Sequence, residues 1–198
     1  MHNLKRHLLL AATLMLPTLG LSAQNKAQSR SIAHETELAV TYSAQMGNSI
    51  AGNQFWMPTG AGAELSMQFF RGFSGVVNVT GSHVDNINGS GVGLTLFTTT
   101  GGVRYTAQTD DQALAIWGEA LFGDSHGSNS LFPTSTGTTS SANSFATKVG
   151  GGWDLRLDKH LAVRPVEMFW VRTQFPNGGT NVQNNYQIGA GLIWRIRR

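Results

Sequence analysis

No cysteine occurs among the 198 residues, which excludes disulfide frameworks, thiol catalysis and cysteine-based zinc sites. Charge is scarce at 13% of the chain, and no Lys/Arg run interleaved with aromatics marks a nucleic-acid surface. Beyond residue 23 no apolar run approaches the about 20 residues that a membrane helix needs. The six histidines, at 2, 7, 34, 83, 126 and 160, show neither i,i+4 nor short-pair spacing, so no metal ligand set is expected. No phosphate-cradling loop leads into a helix, and no cofactor is expected.

What is present begins with an export signal. Lys5 and Arg6 precede an apolar stretch from Leu8 to Leu21, closed by the small residues Ser22 and Ala23. A basic start, a short apolar centre and a small-residue cleavage site describe a secretory signal peptide. The expected organisation is a signal peptide over 1–23, a periplasmic segment over 24–35 and one folded domain over 36–198. Cleavage leaves 12 basic against 11 acidic residues, so the high pI says little about nucleic acid. An exported chain without disulfides must be held together by something else.

Glycine supplies 24 residues, and the rest of the chain falls into segments of period two bounded by turn residues. Eight strands are expected: Thr36 to Met46, Phe55 to Phe69, Gly75 to His83, Val92 to Ala107, Ala113 to Gly123, Ser144 to Leu157, His160 to Gln174, and the closing strand from Asn184. In the fourth, Val92, Leu94 and Leu96 are even but Val103 and Tyr105 are odd, a parity switch that predicts a bulge at Gly101-Gly102. Pro165 interrupts the seventh, and a bulge there would place Arg164 and Glu167 on one face.

The connections alternate in length. Phe70 to Ser74, Gln108 to Gln112 and Asp158-Lys159 are short, whereas Gly47 to Gln54, Val84 to Gly91, Asp124 to Asn143 and Phe175 to Asn184 are longer and polar. An even strand count with short turns at one rim and long loops at the other is the pattern of an outer-membrane barrel. Several strands exceed the five or six residues usual in a soluble sandwich. The predicted fold is therefore an all-β, eight-stranded antiparallel up-and-down transmembrane β-barrel, monomeric and surrounded by outer-membrane lipid. Closing it gathers Glu64, Arg104, Glu119, Lys148, Asp154, Arg156 and Arg164 in one lumen, a mixed-sign set suited to ion pairing. Arg195 faces the same interior. An eight-stranded barrel has room for side chains rather than for a wide channel, so a narrow pore is the lesser alternative.

The stretches "GAGAELSMQFF", "SGVVNVTGSH", "GGVRYT", "EALFGDSHG", "KVGGGWDLRLDKHLAVRPVEM" and the closing strand resemble the small outer-membrane β-barrel family of OmpA and OmpX. That resemblance implies recognition by the barrel-assembly machinery through the last strand. Tyr186, Ile188, Leu192, Trp194 and Ile196 would form its lipid-facing stripe, with Ile196 where the family usually ends in an aromatic and Ile193 as the lumen position that fits least well. It also implies localisation to the outer membrane, with outward loops, above all 124–143, carrying any surface ligand. "GDSHG" at Gly123 to Gly127 matches a nucleophile-elbow pattern but lacks the strand-turn-helix setting that pattern needs. "HGSN" at His126 to Asn129 resembles small barrels of the lipid A deacylase class, which implies His126 as base and Ser128 as nucleophile. No Asp or Glu lies between Ser125 and Trp153 to orient that base, so a non-enzymatic surface protein is the main expectation and a deacylase the alternative.

Overall fold

A computed structural model describes residues 35–48 and 54–197. The expected signal peptide and nearly all of the periplasmic segment lie outside the described residues. Eight strands follow one another: β1 (Glu35–Asn48), β2 (Gln54–Phe70), β3 (Phe73–Val84), β4 (Leu94–Gln108), β5 (Leu114–Thr134), β6 (Gly137–Arg156), β7 (Leu161–Thr173) and β8 (Gln183–Arg197). Each pairs antiparallel with the next, and β8 returns to β1 with Val40 opposite Leu192, closing the barrel. Closure leaves no sheet edge within the ring, so the barrel backbone satisfies its own hydrogen bonds.

Period two sorts the side chains into two populations, and the sorting is inverted relative to a soluble protein. Leu192 is 56% exposed, Trp194 57% and Met168 62%, whereas Lys148 and Arg164 are each 1% exposed. Tyr42, Leu65, Val77, Val103, Ile116, Phe122, Phe145 and Trp153 add to the outward apolar surface. A continuous belt of that kind is far larger than a monomeric protein exposes to water. It matches the lipid-facing band of a transmembrane barrel, so the apolar stripe meets hydrocarbon and the polar one meets the lumen. Near the short-turn rim, Phe70, Phe73 and Tyr105 cluster, with ring centroids 6.5 and 5.0 Å apart in succession.

Among the register shifts of the described ladders, two fall at prolines and adjust the faces. On β2, Met57 pairs with Gln45 but Gly60 pairs with Ser43, so Pro58 and Thr59 face one residue of β1. On β7, Arg164 pairs with Gly191 and Glu167 with Gly189, which puts the extra residue at Pro165-Val166. Proline lacks the amide hydrogen that an ordinary ladder position would require.

The expected bulge on β4 is absent. Its pairing with β3 and β5 is continuous, so Leu94 and Leu96 face the lumen, as Arg104 does, while Phe97, Val103 and Tyr105 face outward. The parity switch records a change of lumen chemistry along the barrel and not a change of face. The expected loop over 124–143 is also corrected. Residues Asp124 to Thr134 continue β5, Gly137 to Asn143 belong to β6, and only Ser135 and Thr136 lie between the strands. The β5–β6 hairpin rises past its neighbours: pairing to β4 ends at Thr95–Ser128 and pairing to β7 at Ala146–Thr173.

Short turns are fixed by local hydrogen bonds. Gly72 has φ +75°, and a Cβ there would lie 2.8 Å from the Thr106 carbonyl oxygen, so only glycine fits. Asp158 accepts the amides of His160 at 2.6 Å and Leu161 at 2.8 Å. Those backbone amides hold its carboxyl below the usual carboxylate range. Because the folded pKa is depressed, the contribution is present above the unfolded value and fades as pH falls through the folded one. Asp158→Ala is therefore expected to lower the denaturation midpoint in detergent at neutral pH, with the gap to wild type shrinking below about pH 4, near the unfolded carboxyl pKa.

Candidate functional site

The lumen centre is occupied by one connected polar network drawn from β2 to β7. Arg104 Nη2 donates to Glu64 Oε1 and to Glu119 Oε2, each at 2.5 Å. Arg164 Nη1 donates to the same Glu64 oxygen at 3.2 Å and to Glu167 Oε2 at 3.1 Å, while its Nε donates to Asp154 at 2.9 Å. Lys148 donates to Asn78 Oδ1 at 3.0 Å, and Asn78 Nδ2 donates to Glu64 Oε2 at 3.3 Å. All of these side chains are nine-tenths or more buried. At such burial a charge is tolerable only when paired and hydrogen-bonded, and the pairing here is extensive.

Aromatic and glycine residues complete the packing. The Arg104 and Arg164 guanidiniums lie 4.0 and 4.3 Å from the Trp117 ring centre, and the Lys148 ammonium lies 4.1 Å from that of Phe169. Room for the rings comes from Gly150 and Gly152. A Cβ on Gly152 would lie 2.8 Å from the Trp117 ring, and one on Gly150 would collide with the Phe169 ring. The glycine run before Trp153 is thus a slot for lumen aromatics. Gly189 plays the same part for Glu167, whose Oε1 would lie 2.8 Å from an added Cβ.

Sequence reasoning placed Glu64, Arg104, Glu119, Lys148, Asp154 and Arg164 in one lumen, and the barrel brings them together. Glu167 joins them through the Pro165 bulge. Arg156 Nη1 donates to Gln112 Oε1 at 2.9 Å beside the β4–β5 turn. Arg195 secures the seam instead, with Nε 2.8 Å from Glu37 Oε1 on β1. Ile193, fully buried, packs with Ala39 and Ala162, two small side chains that make space for it in the lumen. Tyr186, Ile188, Leu192, Trp194 and Ile196 all face outward.

Toward the long loops the lumen changes character. Phe55, Met57, Leu94, Leu96, Phe132 and Phe175 form a buried apolar cluster, joined by Val84, Ile87 and Ala142. Phe132 reaches it because the register slips between Ser128 and Phe132 and Asn129 takes φ 57°, turning the hairpin inward. Its ring lies 5.5 Å from Phe175 and occupies the space above Gly127. Sequence reading missed this cluster; the even-numbered Leu94 and Leu96 were its signal.

His126 and Ser128 sit on the outward half of β5. His126 Nδ1 lies 2.7 Å from Asn143 Oδ1, and no described hydrogen bond joins it to Ser128. A different histidine makes the longer relay: Asn129 Nδ2 donates to Thr95 Oγ1 at 3.1 Å, Thr95 lies 2.8 Å from His83 Nδ1, and His83 Nε2 lies 2.9 Å from Asp85. One orientation satisfies all three, with Thr95 donating to Nδ1 and Nε2–H donating to Asp85. None of these side chains belongs to the apolar cluster, and the relay ties the β3–β4 loop, β4 and the hairpin together. Among the described residues no group of three His, Asp or Glu side chains is arranged to hold a metal ion.

Two outcomes test the lumen packing. Arg164→Met would leave Asp154 and Glu167 without their cation, and a loss of about 3–5 kcal/mol is expected from urea unfolding in detergent, the magnitude typical of breaking a buried pair. Gly152→Val would push against Trp117, and the same assay should report about 1–3 kcal/mol, the usual penalty of overpacking.

No protein-family model matches the sequence, and no curated protein does. Solved structures match the fold. Neisserial surface protein A shares 10% identity at a TM-score of 0.64, over 81% of this chain and 97% of that one. Ail, the attachment invasion locus protein of Yersinia pestis, was solved with the heparin analogue sucrose octasulfate; it shares 11% identity at a TM-score of 0.56, over 83% and 100% of the two chains. With a closed ring, an apolar exterior and a polar lumen centre, the chain has the fold of the small eight-stranded outer-membrane barrels.

Proposed function

We propose that the protein is a monomeric surface barrel of the outer membrane, closed to ions and without catalytic activity, whose role lies in what its long-loop end presents outside the cell. The plug at Glu64, Arg104 and Arg164 carries this reading. It fills the lumen centre with paired, buried side chains, and a barrel of this strand number has little further space for a conducting path. Among the described residues, the remaining outward apparatus is the β5–β6 hairpin with the loops at 85–93 and 174–182.

The chemistry of that apparatus favours a neutral partner. Residues 124–147 contain no Lys or Arg, and neither do 85–93 or 174–182. A sulfated polyanion of the kind bound to Ail needs clustered cations, which these segments do not supply. Serine, threonine and asparagine instead offer uncharged hydrogen-bonding groups, suited to a polar protein surface or a glycan. The engagement of His126 with Asn143 speaks against its service as base to Ser128.

Membrane extraction followed by electrophoresis with and without boiling tests the barrel, and planar-bilayer recording of the purified monomer tests the plug. A compact unboiled band and no steady conductance are expected. Recovery only in a soluble fraction would refute the membrane assignment, and a reproducible unit conductance would refute the sealed lumen. Lipid A acylation should be identical with wild type and Ser128→Ala; deacylation by wild type alone would reinstate the hydrolase.

A further inference from the structure

Beside the buried apolar cluster, the long-loop end of the lumen encloses a cavity of about 480 Å³. That lies within the roughly 300–1,000 Å³ range of small-molecule sites. Phe55, Met57, Leu94, Leu96, Phe132 and Phe175 are among its walls, and exposed Asn88, Ser90 and Leu131 mark its mouth. No Asp, Glu, Lys, Arg or His is among its described lining residues. The contrast with the barrel centre is sharp, because there the lumen is filled by charge and here it is walled by hydrocarbon and left open.

The neutral polar groups of the wall are not equivalent. Gln183 is fully engaged: its Oε1 accepts from Thr173 Oγ1 and the Phe175 amide, and its Nε2 donates to the Phe175 carbonyl. Asn185 also lines the cavity and is only 4% exposed; its Oδ1 has no hydrogen-bond partner and is sealed from water, so a ligand donor meets it once the amide turns about its terminal torsion toward the cavity. A buried acceptor left unpaired is destabilising, and a donor delivered by a ligand would remove that penalty. Charged ligands have no counter-ion here and would lose their hydration without compensation.

We propose that this chamber binds one uncharged, mainly apolar small molecule carrying a hydroxyl or N–H group, its body packed against the aromatic and leucine walls and its donor on Asn185 Oδ1. The aromatic pair Phe132 and Phe175 would face the ligand's body. The β5–β6 hairpin then acts as part of the site, since it delivers Phe132.

Calorimetric titration of 1-naphthol into the protein held in phosphatidylcholine nanodiscs tests this, with empty nanodiscs accounting for partition into lipid. A saturable one-to-one component above the empty-disc signal is expected, and Leu96→Trp, which fills the chamber, should abolish it. Asn185→Leu keeps the chamber but removes the acceptor, and should weaken 1-naphthol about fivefold, the scale of one hydrogen bond, while leaving 1-methylnaphthalene unchanged. The compact unboiled band reports the folding of each variant, and the Asn185→Leu comparison decides alone should Leu96→Trp not fold. Heats equal to those of empty discs, binding retained by folded Leu96→Trp, or equal 1-naphthol affinity in wild type and Asn185→Leu would each overturn the assignment.

Discussion

Glu64 is the residue on which the interior depends. Its carboxylate, on β2, receives Arg104 from β4 and Arg164 from β7, and its second oxygen receives Asn78 from β3. Arg104 then holds Glu119, and Arg164 holds Asp154 and Glu167, so a single anion links the two halves of the network. In a barrel without disulfides, surrounded by hydrocarbon that offers no hydrophobic contrast to its outer face, specific cohesion must come from backbone ladders and from the lumen. Glycines on β6 and β8 serve this arrangement by leaving space for Trp117, Phe169 and Glu167.

The lumen therefore has two regimes, stacked along the axis. At its centre, charges are paired, buried and braced by aromatic rings. Toward the long loops, apolar side chains take over, and the β5–β6 hairpin bends in at Asn129 to add Phe132. Thr95 and His83 fasten the base of that bend on the outer face. The sealed part and the open part share strands β2, β4, β5 and β7, so one framework positions both.

Much of this was legible in the sequence because lipid and lumen impose opposite chemistry on alternate residues. Tyr186 to Ile196 shows it clearly, as do Ala61 to Phe69. The lumen charges could be gathered from parity alone, and Glu167 followed once Pro165 implied a bulge. The errors arose where that rule changes. On β4, Leu94 and Leu96 are apolar and inward, so the assumption that apolar means lipid converted a change of lumen chemistry into a bulge. Over 124–143 both faces meet water or the barrel mouth, no contrast remains, and strands read as loop. Which carboxylate meets which arginine was also out of reach, since parity gives a face and not a partner.

The ion pairs have a further consequence for the order in which the structure can form. Arg104 and Glu64 are 40 residues apart, Arg164 and Glu64 are 100 apart, and Arg195 and Glu37, at the seam, are 158 apart. Neighbouring hairpins can pair locally, but these contacts exist only once distant strands have met. A half-built sheet would present unpaired carboxylates and guanidiniums at membrane depth, where unpaired charge is expensive. The lumen network thus disfavours partial insertion and ties ring closure to charge pairing, in a topology whose long-range contacts already make closure slow.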